Sequence, residues 1–282
     1  MIENKFLNWT YNEIKIHISD FCEIYKNRPI KKNKGGMLFP HMFAFYFILK
    51  KLNPELVIES GVFKGQSTWL IEQALPNSKI ISIDKNLDQR VYISKKANYS
   101  NIDFRFHNFS NIPESTLAFF DDHVNHIERL KESSYFKIKN IIFEDNYPSF
   151  KGDFHTIKHS LQKFTFNHKP GILSLIKSYV LFSKMIIKKI LNKNYFIKED
   201  LHDISNRIRD HYPVNSDIDN INKIVECYYE FPPIVPVFKN IDNRNEKYFI
   251  TRDPLFLEIN DKLLPFKEEL SSYNYFSYIK IK

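Results

Sequence analysis

Glycine is scarce in this chain, with six residues in 282. In a sequence so poor in glycine, each one marks a place where a side chain would collide or the backbone takes an unusual φ. Cysteine is scarcer still. Cys22 and Cys227 lie far apart without metal-ligand spacing, which argues against a disulfide framework and fits a reducing, cytoplasmic setting. The stretch from Met1 to Tyr11 carries acids and polar residues where a secretory signal needs an apolar core, so export is not expected. No clean apolar run of membrane-spanning length occurs. The most apolar long stretch, 172–191, is interrupted by Lys177, Lys184, Lys188 and Lys189, short of the roughly 20 clean residues a span requires. Its composition suits an amphipathic helix, packed on the domain as a lid or lying on an anionic membrane surface. No internal repeat is visible.

What is present is a 43% hydrophobic chain whose length suits one decorated domain better than two full ones. The formal charge of +8, from 41 Lys and Arg against 33 Asp and Glu, favours anionic partners such as phosphorylated substrates, nucleic acid or a membrane surface. The plain alternative is a solvated, lysine-rich surface.

Apolar residues recur at helical spacing from Phe39 to Leu52, and Pro54 ends that pattern just before the run Leu56-Val57-Ile58. This reads as a helix followed by a first strand. Further strand-like runs cover 79–83, 103–106, 117–120 and 140–143, with helices expected over 67–74, 87–97 and 125–133. Strand character returns at 225–231, 247–251 and 276–281. Such alternation predicts an α/β fold: a Rossmann-like, doubly wound, mostly parallel sheet with helices on both faces. The expected division is a helical cap over 1–54, a Rossmann-like core over 55–160, an inserted helical lid over 161–222 and C-terminal strands over 223–282 that complete the sheet.

The first strand runs into Glu59-Ser60-Gly61-Val62-Phe63-Lys64-Gly65-Gln66-Ser67-Thr68, directly followed by helical sequence. A strand, a glycine-bearing turn and a helix in that order present backbone N–H groups and a positive dipole end to a ligand. The full G-x-G-x-x-G fingerprint is absent. The second strand, Ile80-Ile81-Ser82-Ile83, ends in Asp84, about twenty residues past the turn, where a carboxylate can accept from ribose hydroxyls. The plain alternative is an Asp that caps the next helix.

At this point the chain resembles the class I methyltransferases, whose first motif is an acidic residue followed by a glycine-containing turn. The resemblance implies S-adenosylmethionine as cofactor, with Glu59, Gly61 and Gly65 along its methionine part, Ser67 in the same turn and Asp84 on its ribose. NAD is the alternative ligand. The acid before the first glycine favours S-adenosylmethionine, whose amino group is cationic.

The fourth strand ends in Phe120-Asp121-Asp122-His123-Val124-Asn125-His126 and the fifth in Phe143-Glu144-Asp145. In a doubly wound sheet, adjacent carboxyl-terminal strand ends open into one crevice. Clustered carboxylates repel unless a cation or basic partner compensates, and a hard divalent ion such as Mg²⁺ suits them. The alternative is acids that cap helices and pair with Lys or Arg. These runs look like those of the macrocin-type sugar O-methyltransferases and the cephalosporin hydroxylase-like proteins, which show Asp-Asp-Gly-Ser-His and Glu-Asp at these places. The resemblance covers about 56–148 and lacks the Gly-Ser pair. It implies Asp122, Glu144 and Asp145 as metal ligands and His123 as general base. His126 is the alternative base. Asp121 is placed with the cofactor and could replace Asp122 at the metal. The loop Lys34-Gly35-Gly36-Met37 could close over the cofactor, and His155 or Lys158 could reach the acceptor.

The expected activity is therefore metal-assisted methyl transfer from S-adenosylmethionine to a hydroxyl of a sugar-like, phosphorylated or nucleotide-linked acceptor. Competing readings are a nucleic-acid methyltransferase, for which no RNA-binding motif or compact basic stripe is seen, and a non-catalytic scaffold of the same fold. Peripheral membrane contact and a homo-oligomer stay open.

Overall fold

Thr10 starts the first described helix by accepting the Glu13 N–H on its hydroxyl at 3.2 Å. In the computed structural model, which describes residues 9–147, 154–161, 215–236, 252–270 and 275–282, α1 (Tyr11–Ile16) and α2 (Ile18–Lys26) precede the long α3 (Phe39–Leu52). Pro40 sits in the first turn of α3, where a missing N–H costs nothing. Asn53 closes it in the left-handed region (φ 45°), and Pro54 prevents continuation. Nearly all of α3 is buried, because it lies flat across one sheet face. Its Phe45 stacks on Phe119 with ring centroids 4.3 Å apart.

The sheet contains β1 (Leu56–Ser60), β2 (Lys79–Ile83), β3 (Ala97–Ser100), β4 (Leu117–Phe120), β5 (Asn140–Phe143), β6 (Val225–Glu230) and β7 (Ser277–Ile281). Their order is β3-β2-β1-β4-β5-β7-β6. The pairs among β1 to β5 are parallel, and β7 alone runs antiparallel, between β5 and β6. Alternate residues of each strand face opposite layers. Val57, Leu117, Phe119 and Ile142 join α1 to α3 and α4 (Gln66–Ala74) in one core, whereas Ile58, Ala118, Phe120, Ile141 and Phe143 face the other. That second layer holds α5 (His126–Tyr135), α6 (Ile157–Leu161) and α7 (Asn215–Ile224). A short α8 (Lys267–Leu270) packs near the start of α3.

Two expected elements differ. The helix expected over 87–97 is one 3-10 turn, Leu87–Gln89, after which the chain enters β3. The N–H groups of Val91 and Tyr92 both bond to the carbonyl of Lys64, and Ser94 Oγ takes those of Lys96 and Ala97. Backbone donors committed to these partners cannot close helical turns. The strand expected over 103–106 is the 3-10 turn Phe104–Phe106, capped by Asp103. The expected strand 247–251, the lysine-rich stretch 172–191 and most of the expected lid, 162–214, lie outside the described residues. Among those described, no helix is long and apolar enough to cross a membrane.

Candidate functional site at the strand tips

The strand order reverses between β1 and β4, so their carboxyl ends diverge into a crevice. Ladder bonds run past the strand ends: Gly61 N–H to Ile83, Asp121 N–H to Ser60 and Glu144 N–H to Phe120. The tips of β2, β1, β4 and β5 are thereby held side by side. Gly61 (φ 101°) is forced by this contact, since a Cβ there would lie 2.0 Å from the Asp121 carbonyl oxygen. At Gly65 (φ 86°) a Cβ would lie 2.3 Å from the Tyr92 oxygen. Both glycines thus make room for neighbouring backbone.

The resulting cleft, about 260 Å³, is lined by Ser60, Gly61, Phe63, Asp84, Lys85, Gln89, Asp103, Asp121, Asp122 and His123 among others. Phe63 (φ 46°) and His123 (φ 55°) both hold left-handed backbone at its rim, a conformation costly for non-glycine residues and concentrated at functional sites. Asp84 reaches from the β2 tip to the glycine turn, its Oδ2 accepting the N–H groups of Val62 and Phe63 at 2.8 Å each. It therefore shapes the turn as well as lining the cleft.

Glu59 is fully buried beneath the turn. Its Oε2 accepts from Thr68 Oγ1 at 2.6 Å and Ser82 Oγ at 2.7 Å, while Oε1 has no partner. Burial pushes its carboxyl above the usual range, against the pull of the Ser67, Thr68 and Ser82 hydroxyls. Ser67 is buried in the first turn of α4, which no side chain caps.

The acids separate by environment. Asp122 Oδ2 accepts from Ser60 Oγ at 2.6 Å and meets Arg129 Nη2 at 2.8 Å, and its Oδ1 accepts the Val124 N–H. Arg129 is buried and also engages Asp103 and Glu132. Glu144 pairs with His41 Nδ1, and His41 Nε2 accepts the Tyr275 N–H at 3.4 Å, an arrangement that places the imidazole proton on Nδ1. What remains converged is Asp121, His123 and Asp145, which can each bring one ligand atom within 4.8 Å of the others. Burial and the neighbouring Glu144 and Asp145 drive the Asp121 carboxyl well up. Burial and Asp145 do the same to Glu144.

The two histidines also separate. His123 is exposed at the cleft with Nε2 3.8 Å from Asp145 Oδ2. His126 is buried, stacked on Phe143 at 3.9 Å, and accepts the Ile157 N–H. Burial, then His159 and His155, hold its pKa well below the ordinary value. His155 and Lys158 are buried as well, His155 against Ser160 and Lys158 on Glu230 at 2.7 Å. Sequence reasoning missed His41 and Arg129. His41 lies 103 residues from its partner, and no local pattern signals such a pairing. Arg129 stood seven residues beyond Asp122, close enough to suspect.

No family model matches the chain, and no curated protein does. Among solved structures, CmcI with SAH is similar at 18% identity over 42% of this chain and 68% of that one, with a TM-score of 0.36. For the apo-structure of CmcI, the share of that chain is 57%. The plantazolicin methyltransferase BpumL in complex with SAH matches at 13% identity over 96% and 91%, with a TM-score of 0.38. The tRNA (m1A58) methyltransferase TrmI from Aquifex aeolicus matches at 9% over 89% and 72%, with a TM-score of 0.41. Likeness this low carries no argument for an activity, which has to come from the site's own geometry. The strand order, with β7 alone antiparallel, is that of a doubly wound, mostly parallel α/β sheet.

Proposed function

We propose that the chain is an S-adenosylmethionine-dependent O-methyltransferase, and that a divalent ion at the strand tips assists it. The observation that carries the cofactor reading is the buried Glu59 carboxylate, whose Oε1 lacks a partner beneath a glycine turn that opens on a nucleoside-sized cleft. A cationic amino group above it would offset a buried negative charge. Asp84 stands at the ribose position, and the uncapped first turn of α4 favours an anionic group. When bound, S-adenosylmethionine supplies an electrophilic methyl group.

The metal reading is supported by the donor set: the Asp121 and Asp145 carboxylates converge beside His123, and burial with the neighbouring carboxylates pushes Asp121 and Glu144 up. These residues fit a hard divalent ion. Asp121 and Asp145 would hold it with Glu144 alongside, whereas Asp122, taken by Arg129 and Ser60, braces the loop. Bound there, the ion supplies Lewis-acid polarisation of an acceptor hydroxyl. His123, exposed beside the cleft, accepts the hydroxyl proton on its imidazole. His126, buried and stacked, does not face the cleft lining. A sugar-like acceptor follows from the resemblance of the Asp-Asp-His and Glu-Asp runs, and the chain's +8 charge suits a phosphorylated or nucleotide-linked one.

The deciding experiment is calorimetric titration of S-adenosylmethionine into the protein and into Asp84→Ala, with and without Mg²⁺. Saturable binding that weakens at least about tenfold in the variant supports the reading. No heat from the unmodified protein would reject it. Asp145→Asn should abolish the Mg²⁺ effect, while a non-catalytic scaffold would be indifferent to it.

A further inference from the structure

Carboxylates gathered at one strand tip repel and turn apart unless neighbours hold them. Past the end of β5, the run Glu144-Asp145-Asn146-Tyr147 is held residue by residue. His41, in the first turn of α3, bonds through Nδ1 to Glu144 Oε1, and the Glu144 side chain also lies within hydrogen-bond reach of Asp121 and Asp145. The start of α3 is itself pinned, since Glu269 Oε2 accepts the Phe39 N–H at 3.1 Å. Tyr147 turns back on Asp145. Its N–H donates to the Asp145 carbonyl at 2.8 Å, and its phenol bonds to the Asp145 side chain. Thr156 Oγ1 donates to the Tyr147 carbonyl at 2.6 Å and fastens this turn to the segment before α6.

One residue links the two arms. Tyr275, just ahead of β7, donates its N–H to His41 Nε2 at 3.4 Å and accepts the Asn146 N–H on its carbonyl at 3.1 Å. Its ring centroid lies 4.6 Å from that of Tyr147. With a donor on Nε2, the His41 proton sits on Nδ1 and points at Glu144. Three parts of the chain, at 41, 144–147 and 275, thus meet in one network around two acids. Close packing by itself asks for no phenol on one acid and no imidazole on the next.

Hydrogen bonds from outside fix the orientation of carboxylates that bind a cation, and losing one costs metal affinity. We propose that His41 and Tyr147 are positioning residues for the divalent ion at the strand tips: His41 holds Glu144 against Asp121 and Asp145, Tyr147 orients Asp145, and Tyr275 ties the two together. Both act through an acid and not on the acceptor. The inference rests on the metal reading above and adds the residues that set the ion's affinity.

The test is calorimetric titration of Mn²⁺ into the full chain and its variants, with melting in EDTA to check that each is folded. The unmodified protein should bind Mn²⁺ saturably, and Asp145→Asn should not. Tyr147→Phe, which removes only a hydroxyl, and His41→Leu should each weaken Mn²⁺ by at least about tenfold. His41→Asn, whose amide nitrogen can stand where Nδ1 stands, should bind within about threefold of the unmodified protein. Contacts that serve the fold alone would lower the melting temperature in EDTA and leave Mn²⁺ affinity unchanged. That result in either Tyr147→Phe or His41→Leu, or no recovery in His41→Asn, overturns the inference and leaves the metal reading standing. Should His41→Leu not fold, Tyr147→Phe decides. If the unmodified protein binds no Mn²⁺, or Asp145→Asn binds it equally, the metal reading falls, and this inference with it.

Discussion

Asp122 and Arg129 form a part-buried ion pair, Oδ2 to Nη2 at 2.8 Å, with Arg129 only 1% exposed. The same guanidinium reaches Asp103 at 3.1 Å and Glu132 at 2.7 Å. One cation thus ties the β4 tip to the turn after β3 and to α5. It also withdraws Asp122 from the acids that converge around Asp121 and Asp145.

Replacing Arg129 with Met should destabilise the fold by about 2–4 kcal/mol, because it strands three part-buried carboxylates without a cation. Urea denaturation measures this. A loss below about 1 kcal/mol would show that the network is not organising the cleft floor.

The same guanidinium gives an acid dependence through Asp103. Although burial pushes the other way, the bonds from Arg129 and Arg105 hold the Asp103 carboxyl far below its usual range. A depressed carboxyl contributes stability that is fully present above the unfolded value of about 3.9 and is lost as pH falls through the folded value. Below about pH 4, wild type should lose stability more steeply than Asp103→Asn, as followed by melting temperature against pH.

His126 acts in a higher window. Its folded pKa lies well below the ordinary value, from burial and the neighbouring histidines, so the unfolded chain binds a proton that the folded one refuses. Stability should therefore fall as pH drops below about 6.5, by up to about 1.4 kcal/mol per unit for this group. His126→Phe keeps the stack on Phe143 and should flatten the slope between about pH 6.5 and 5. An unchanged slope would sink the assignment.

Gly61→Ala places a methyl 2.0 Å from a backbone oxygen at φ 101°, whereas Gly36→Ala meets only the Asn33 side chain. The first should cost at least about 3 kcal/mol, and the second less, because an amide can swing aside. Comparable losses in urea unfolding would contradict the close approach of β1 and β4.

Glu59→Gln removes a buried negative charge at constant size. Fold stability should hold or rise, while S-adenosylmethionine affinity should drop by about tenfold, since the ammonium loses its anionic partner. Thermal melts with and without the ligand separate the two effects.

Local pattern in the sequence determined six of the seven described strands, the glycine turn and the acids at the strand ends. Strand periodicity, Pro54 and the spacing from Gly61 to Asp84 act over a few residues and survive in any description of the chain. The stretch 87–106 was misread because its backbone donors bond to Lys64 and Ser94, contacts no window of sequence displays. Tertiary structure alone decided which acids stay available. Arg129 claims Asp122 and His41 claims Glu144, leaving Asp121 and Asp145 converged beside His123. Chain composition supplied the charges, but their pairing depends on which strand tips and helices the fold sets within 3–4 Å of one another.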